Sequence, residues 1–378
     1  MKVLSLFDGI SCGRVALERA GIPVEEYHAW EIDKHAIQVS RKNFPSIEQH
    51  GDVTAADFTK YRGFDLLIGG SPCQGFSVAG KQLNFEDPRS RLYFEFERAL
   101  QEAKPKWFLL ENVGMKKEYA DIITERLGVQ PIVINSGTVS AQNRKRLYWT
   151  NIPGVQQPPD KGITLRDIVH EFAGEQVDLD AYKIQEDRAR EIIEKEVEEG
   201  KVLRDGDGYL IHGTHVEIGK PGRYLFGCLT PNRVNKRQNG RRFSTGEKYY
   251  TLTSMDDHGF LIDGYLRTAT PVECERLQTL PDGYTEGITE RQRFRCLGNG
   301  WTVDVIAWIL SFIPVEEAEA TDLSDAPADV KETVLANAEL LEALEQTAPD
   351  LLAPVKVKVA VSREALIKRR EMRKRRGL

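Results

Sequence analysis

A single cysteine stands in a loop whose composition is typical of a ligand-binding edge. Residues 69–77 read Gly-Gly-Ser-Pro-Cys-Gln-Gly-Phe-Ser and directly follow the apolar run at 66–68. A thiol just beyond a strand, in a loop rich in glycine and proline, is placed to act as an exposed nucleophile. A lone cysteine is more often a small buried apolar side chain, but the loop composition favours catalysis. We therefore predict that Cys73 is a nucleophile.

A second pattern, at the N-terminus, suits an adenosine cofactor. The apolar run at 3–7 leads into a glycine-containing turn at 7–13, and Glu31 follows about twenty residues later, after the next apolar run. Glycines let a backbone approach a ligand closely, and a carboxylate at that position can accept hydrogen bonds from both ribose hydroxyls. The turn lacks a complete GxGxxG pattern, which argues against a dinucleotide. A plain strand-to-helix turn is the alternative, and Asp52 either accepts from an adenine amino group or caps a helix.

The elements that would position these residues alternate regularly over the first 150 residues. Apolar runs typical of strands lie at 3–7, 27–30, 66–68 and 107–110, and helical patterns separate them. Such alternation predicts a parallel, doubly wound α/β sheet. Because ligands bind at the carboxyl ends of the strands in such sheets, Cys73 and Glu31 should meet at one edge.

The alternation stops near Asn151 and returns near Leu266, where Thr270 and Pro271 open a helix. We predict a catalytic domain formed by residues 1–150 plus 266–313. The intervening residues 151–265 form a smaller second domain. Residues 314–378, with an acidic stretch and a basic tail, form an appended C-terminal module.

Composition sets the remaining limits. The chain has 378 residues, 40% of them hydrophobic and 29% charged, which predicts a globular protein of two or three domains. No apolar run reaches the roughly 20 residues of a membrane span, so we expect a cytoplasmic protein without membrane contact. The five cysteines form no CxxC pair, and His212 and His215 have no further ligands near them in sequence, so we expect no metal. The net charge of −6 by itself disfavours a polyanionic partner.

Five motifs together resemble one known family. They are residues 7–13, Ser-Pro-Cys-Gln at 71–74, Glu-Asn-Val at 111–113, Gln-Asn-Arg-Lys-Arg at 142–146 and Gly-Asn-Gly at 298–300. Their order and spacing are similar to those of the cytosine carbon-5 DNA methyltransferases of prokaryotic or phage type. Trp301 and the residues at 4–10 also resemble the de novo methyltransferase branch. The resemblance covers residues 1 to about 313.

This resemblance implies a Rossmann-like methyltransferase fold that depends on S-adenosyl-L-methionine, with residues 151–265 as a small target recognition domain. The implied reaction is DNA (cytosine-5-)-methylation. Cys73 would add to carbon 6 of cytosine, and the activated carbon 5 would then take the methyl group. Glu111 would protonate N3, and Arg146 would hold the cytosine O2. Arg144 would position a phosphate or the glutamate.

The resemblance also implies the binding residues. Phe7 would stack on adenine, Glu31 would hold the ribose and Trp301 would close over the methionine part. The full set for S-adenosyl-L-methionine is Phe7, Asp8, Gly9, Ile10, Ser11, Glu31, Ile32, Asp52, Val53, Pro72, Leu92, Asn299, Gly300 and Trp301.

Double-stranded DNA is the implied partner, because the reacting carbons are inaccessible in a stacked base and the cytosine must leave the duplex. Residues 220–250 carry eight basic side chains against one acidic side chain, interleaved with aromatic residues, which favours DNA contact over a merely solvated face. We expect a short recognition sequence. The predicted DNA-binding residues are Gln74, Ser77, Arg233, Lys236, Arg237, Arg241 and Arg242.

Three alternatives and one open assignment stay with this interpretation. An RNA cytosine carbon-5 methyltransferase shares the fold and chemistry, although its Pro-Pro-Cys and Cys-Phe-Thr signatures are absent. An inactive DNA-binding relative is disfavoured because Cys73, Glu111, Arg144 and Arg146 are all present. A nicotinamide dehydrogenase is disfavoured by the missing GxGxxG. We expect a monomer in a bacterial host cell, encoded by the host or by a phage. The role of the basic tail has three candidates, which are DNA contact, pairing with the acidic stretch and self-association.

Overall fold

The computed structural model describes residues 1–71, 92–173, 177–235 and 240–314. Several predicted features lie outside these ranges. They are Pro72, Cys73, Gln74, Ser77, Lys236, Arg237 and the appended module after residue 314.

A seven-stranded sheet forms the centre of the larger part. Its strands are β1 (Lys2–Leu6), β2 (Glu26–Trp30), β3 (Glu48–Gln49), β4 (Leu66–Gly69), β5 (Trp107–Val113), β6 (Ile132–Asn135) and β7 (Lys145–Thr150). The spatial order is β3-β2-β1-β4-β5-β7-β6. The first five strands in this order, β3, β2, β1, β4 and β5, pair in parallel. Strand β7 runs antiparallel to both of its neighbours, β5 and β6. The sheet is therefore mixed, and the purely parallel sheet predicted from sequence holds only for its first five strands.

Both faces of this sheet are covered, as the apolar runs require. Successive residues of a strand point to opposite faces, so Val3 enters one core and Leu4 the other. The helices around the sheet are α1 (Cys12–Arg19), α2 (Lys34–Asn43), α3 (Leu92–Ala103), α4 (Lys117–Leu127), α8 (Glu290–Asn299) and α9 (Val303–Leu310). Helices α1, α2 and α9 contribute to the core with Val3, and α3 and α4 to the core with Leu4.

The region between β7 and α8 contains two small antiparallel sheets. One consists of β8 (Leu203–Asp205), β9 (Gly208–Ile211) and β10 (Thr214–Val216), and the other of β11 (Leu225–Leu229), β12 (His258–Ile262) and β13 (Tyr265–Thr268). Helix α5 (His170–Ala173) precedes them, and α6 (Glu186–Glu198) packs on them through a separate apolar core.

The chain returns to the larger part at α7 (Pro271–Leu277). Thr270 Oγ1 accepts from the backbone N–H of Glu273, and the Glu273 carboxylate accepts from the N–H of Thr270, which is a capping box. This confirms the predicted helix start. The predicted domain boundary at Leu266, however, falls inside β13, a strand of the small sheet.

Within the described ranges, the helices are all too short or too polar to cross a membrane.

Candidate active site

Glu111 lies near the carboxyl end of β5, the edge where the fold exposes ligand sites. Glu111 follows the apolar strand residues at 107–110 and, although it is charged, only 8% of it is exposed. Glu111 pairs with Tyr148 of the antiparallel strand β7, so Arg146 is its diagonal neighbour on the same face. The antiparallel pairing of β5 and β7 thus brings together two predicted catalytic side chains that are 35 positions apart in sequence.

Two groups hold the Glu111 carboxylate. Arg146 Nε lies 3.1 Å from Oε1 as an ion pair, without the alignment of a hydrogen bond. The indole N–H of Trp301 donates to Oε2 at 3.2 Å. A carboxylate fixed at both oxygens by an arginine and a tryptophan has a defined orientation. Trp301 was predicted for the cofactor, and the structure places its polar atom on the predicted acid.

The segment that leads to Cys73 faces this carboxylate. A Cβ atom added to Gly70 would lie 3.1 Å from Glu111 Oε2 and 2.9 Å from Trp301 Nε1. The next residue, Ser71, accepts a hydrogen bond from the side-chain amide of Asn112 at 3.1 Å. Gly70 and Ser71, which precede Cys73 by three and two residues, therefore lie beside Glu111.

The other four cysteines are buried. Burial raises the pKa of the Cys12 and Cys296 thiols to about 12 and raises that of Cys274 further. Cys228 is fully buried in the small sheet. Because a thiolate is the reactive form, these four buried thiols are poorly suited to be the nucleophile, and Cys73 stays the predicted one.

Arg144 is 5% exposed, and its side chain hydrogen-bonds backbone carbonyls beneath the site. Its guanidinium donates to the carbonyl of Leu252 at 2.7 Å, and to those of Gly300 at 3.0 Å and Gly298 at 3.3 Å. Its predicted role, to position a phosphate or the glutamate, stays a prediction for a guanidinium that is buried in this structure. Its hydrogen bonds support the segment that carries Trp301.

The turn after β1 has the shape expected of a cofactor loop. Phe7, Gly9 and Ser11 all have positive φ, at 57°, 60° and 61°. Left-handed backbone costs a non-glycine residue roughly 1–2 kcal/mol, and such strain concentrates at functional sites. Asp8 accepts from the hydroxyls of Ser11, Ser5 and Tyr27, and burial raises the pKa of its carboxyl to about 6.

Glu31 is bound into this turn by backbone donors. Its Oε2 accepts from Gly9 N–H at 2.9 Å, and its Oε1 accepts from the N–H groups of Ile32 and Asp33 at 2.8 Å. Apart from the two chain neighbours of Gly9, the part of the chain that the structure describes has no atom within 4 Å of a Cβ built on Gly9, so the turn is open there. The Ile32 side chain is 76% exposed beside it. An exposed apolar side chain beside a fixed carboxylate fits an adenosine group, with the base over Ile32 and the ribose on Glu31.

The other predicted cofactor residues divide into exposed and buried ones. Asp52 is exposed and caps a short helical turn, accepting from the N–H and hydroxyl of Thr54. Ile10 and Val53 are buried, and Leu92 packs on the core at the start of α3, so their side chains serve the core.

The predicted closing segment lies at the end of α8. Asn299 is exposed. A Cβ at Gly300 would sit 3.4 Å from Cys12 Sγ, in α1, and the ring of Trp301 is equally close to the Cβ position of Gly13. The two predicted cofactor segments therefore adjoin.

Comparison with known proteins identifies the family. The model of the C-5 cytosine-specific DNA methylase family matches residues 1–314. The chain belongs to this family. It is 28% identical to the orphan methyltransferase M.SPRI of Bacillus phage SPR over 81% of this chain and 95% of that protein. It is 29% identical to the type II methyltransferase M1.ScrFI of Lactococcus lactis, over 81% of this chain and 76% of that protein. The Dnmt2 methyltransferase of S. pombe has a similar fold, with a TM-score of 0.56 at 18% identity over 83% of this chain and 98% of that one.

The family model and its named relatives confirm the DNA (cytosine-5-)-methyltransferase activity and the Rossmann-like methyltransferase fold. Methylases of this family use S-adenosyl-L-methionine, and the open turn at Gly9 is consistent with such a group. The RNA alternative is not favoured.

In this DNA methylase, the basic segment at 220–250 is only partly a surface. Arg233 and Arg241 are exposed. Arg242 is fully buried, and its guanidinium contacts Glu196 at 3.2 Å and the backbone carbonyls of Thr230 and Arg233 at 2.8 and 2.7 Å. The prediction that Arg242 binds DNA is therefore wrong. The sequence around Arg242 does not indicate that it is buried, because its partner Glu196 lies 46 residues away.

The aromatic residues interleaved with these basic ones are also buried, so they do not offer stacking surfaces. They are Tyr224, Phe226, Phe243 and Tyr249. The two histidines considered for metal have separate partners: His212 Nε2 bonds the carbonyl of Phe243, and His215 Nδ1 pairs with Asp205.

Two supporting residues of the methylase were not predicted. Asn112 binds Ser71, and buried Gln142 donates to the carbonyl of Leu277 and to Gln278 while accepting from Leu252 N–H. Both lie inside motifs that carried the resemblance. Their position in a motif was the available signal, because nothing in their chemistry distinguishes them from surface amides.

Proposed function

We propose that this methylase flips a cytosine out of double-stranded DNA and methylates carbon 5 through a covalent Cys73 adduct. The observation that carries the mechanism is the position of Glu111. Its carboxylate lies between Arg146 and Trp301 and faces Gly70, three residues before Cys73 in the sequence. A proton donor next to the nucleophile segment is what addition to a cytosine ring requires.

In the first step, the Cys73 thiolate forms a bond to carbon 6, and the displaced electron pair moves through the ring toward N3. Glu111, which is paired with Arg146 in the structure, must be protonated for this step. It delivers that proton to N3 and becomes a carboxylate again. Arg146 then pairs with that carboxylate and contacts the cytosine O2. Carbon 5 is now a nucleophile and takes the methyl group.

S-adenosyl-L-methionine, when bound, supplies an electrophilic methyl group on sulfur. Glu31 would hold its ribose, Phe7 and Ile32 its adenine, and Trp301 would cover the methionine part. After transfer, water accepts the carbon-5 proton, and the thiolate leaves carbon 6 as the double bond between carbons 5 and 6 re-forms. The N3 proton returns to Glu111, and 5-methylcytosine is released. These steps leave the enzyme as it began.

Duplex DNA would lie against the target recognition region. Arg233 and Arg241 are exposed there and are suited to phosphate or guanine contacts. Gln74, Ser77, Lys236 and Arg237 remain predicted contacts. The relatives M.SPRI and M1.ScrFI come from a bacterial phage and a bacterium, which supports a bacterial cell as the place of action.

The test combines transfer and trapping. The full chain is incubated with labelled S-adenosyl-L-methionine and plasmid DNA, and bisulfite sequencing locates the product. A duplex with 5-fluorocytosine at the modified position should then give a covalent complex that survives denaturation, because fluorine cannot leave as the proton does.

Cys73→Ala should abolish both transfer and trapping, whereas Cys228→Ala, at a fully buried thiol, should keep them. Methylation by Cys73→Ala would refute the nucleophile. Label appearing in RNA transcripts and not in DNA would refute the substrate.

A further inference from the structure

Two histidines and a glutamate converge at the sheet edge farthest from β5. His28 lies in β2, Glu48 in β3, and His50 directly follows β3. His28 and Glu48 are register partners, and the backbone N–H of His50 continues the ladder by donating to Ala29. Residues 48 and 50 point to the same face as His28. The strand pairing itself therefore brings the three side chains together.

Their donor atoms lie close enough to share one ion. His28 Nδ1 is 2.8 Å from His50 Nε2 and 3.5 Å from Glu48 Oε2. One ligand atom from each residue lies within 4.8 Å of the other two. Bonds of about 2.0–2.1 Å around a tetrahedral ion place neighbouring ligands about 3.3 Å apart. The nitrogen-to-carboxylate separation already matches this, and the two imidazoles would need to open by about 0.5 Å.

The surroundings of His28 resemble those of a metal ligand. Its other ring nitrogen, Nε2, lies 3.5 Å from the Glu26 carboxylate, which Lys2 also contacts at 2.5 Å. A carboxylate on the far nitrogen favours the proton there, which leaves the lone pair on Nδ1 directed at His50 and Glu48. In metal-binding histidines, this arrangement orients the ring and raises its basicity.

Aromatic packing fixes both rings. His50 stacks on Trp30 with ring centroids 4.8 Å apart. His28 is 9% exposed in its side chain and meets the rings of Tyr61 and Phe64 edge-on at 5.0 and 5.3 Å. Pre-oriented ligands reduce the entropy lost on binding. The exposed carboxylate of Glu48 leaves room for water as a fourth ligand.

We propose that His28, Glu48 and His50 bind one divalent transition-metal ion of the zinc class, with water completing the coordination. Two imidazoles and one carboxylate suit zinc, cobalt or nickel and disfavour magnesium and calcium, which prefer oxygen ligands. The ion fastens the two-residue strand β3 to β2. It is separate from the methyl-transfer chemistry, which takes place at the ends of β4 and β5.

The experiment uses the untagged full chain, stripped of metal with a chelator and titrated with Co²⁺, whose visible spectrum reports tetrahedral nitrogen and oxygen ligands. Zn²⁺ is then added as a competitor. We expect one equivalent of Co²⁺ per chain, displaced by Zn²⁺, and an increase in melting temperature with either ion.

His50→Gln and Glu48→Gln should each weaken Co²⁺ binding at least tenfold and remove the increase in melting temperature. Both residues are exposed, so these variants should fold. The matched control is His215→Gln, which changes an exposed histidine paired with a carboxylate elsewhere and should leave binding unchanged. Absence of stoichiometric Co²⁺ binding, or equal binding by His50→Gln and the parent chain, would overturn the proposal and leave the two histidines as a hydrogen-bonded pair.

Discussion

Replacing Trp301 by phenylalanine tests whether the indole N–H holds Glu111 in its working position. The hydrogen bond from Trp301 Nε1 to Glu111 Oε2 is 3.2 Å long, at a carboxylate with 8% residue exposure. Hydrogen bonds to buried charged groups contribute about 1.5–3 kcal/mol, and the length places this one at the low end. About 1.4 kcal/mol corresponds to a tenfold change in rate.

We therefore expect Trp301→Phe to lower kcat about tenfold. The phenyl ring keeps an aromatic surface at this position but is smaller than the indole, whose outer ring approaches Gly13, so we expect KM for S-adenosyl-L-methionine to change less than kcat does. Initial rates of methyl transfer at saturating DNA and varied cofactor separate the two constants. The matched control is Trp308→Phe, since Trp308 Nε1 donates to the carbonyl of Gln156 outside the site and its loss should leave kcat unchanged.

A double-mutant cycle assigns the effect to Glu111. If Trp301 acts through that carboxylate, adding Trp301→Phe to Glu111→Gln should lower the residual rate by less than twofold. An unchanged kcat in Trp301→Phe would refute the reasoning. So would a tenfold loss that persists in the Glu111→Gln background, because the indole would then act on something else.

Three further predictions concern the buried charges and the crowded glycine. Arg242→Ala removes the cation facing buried Glu196 and should lower the free energy of unfolding by about 3–5 kcal/mol, whereas exposed Arg241→Ala should change it by less than about 0.5 kcal/mol; chemical denaturation measures both, and equal effects would contradict the burial of Arg242. Burial raises the pKa of Asp8 to about 6, so its contribution to the free energy of unfolding is fully present below about pH 4 and is lost as the pH rises through 6. This loss amounts to roughly 3 kcal/mol, and it should be absent in Asp8→Asn. Parallel pH dependences of unfolding for the two proteins would refute this prediction. Gly70→Ala places a methyl group 2.9 Å from Trp301 Nε1 and should reduce methyl transfer strongly while the melting temperature falls little; wild-type rates would show that the segment relaxes freely.

The amino-acid sequence determined the elements and the chemistry. Alternating apolar runs specified the parallel strands, and Thr270 followed by Pro271 specified the start of α7, because strand periodicity and helix capping are local properties. The motifs likewise predict Glu111, Arg146 and Glu31 as residues of the site. The roles of Glu111 as acid and of Arg146 as the cation at O2 are implied by the family resemblance, and they stay predictions.

Only the tertiary structure decided which of these residues meet. Strand β7 runs antiparallel to β5, which carries Arg146 to Glu111, and the end of α8 brings Trp301 to the same carboxylate from 190 positions away. The tertiary structure also gives two adjacent arginines different environments. Arg241 is exposed, whereas Arg242 pairs with Glu196 inside the protein. Sequence cannot distinguish them, because burial and partnership depend on which distant element covers each side chain.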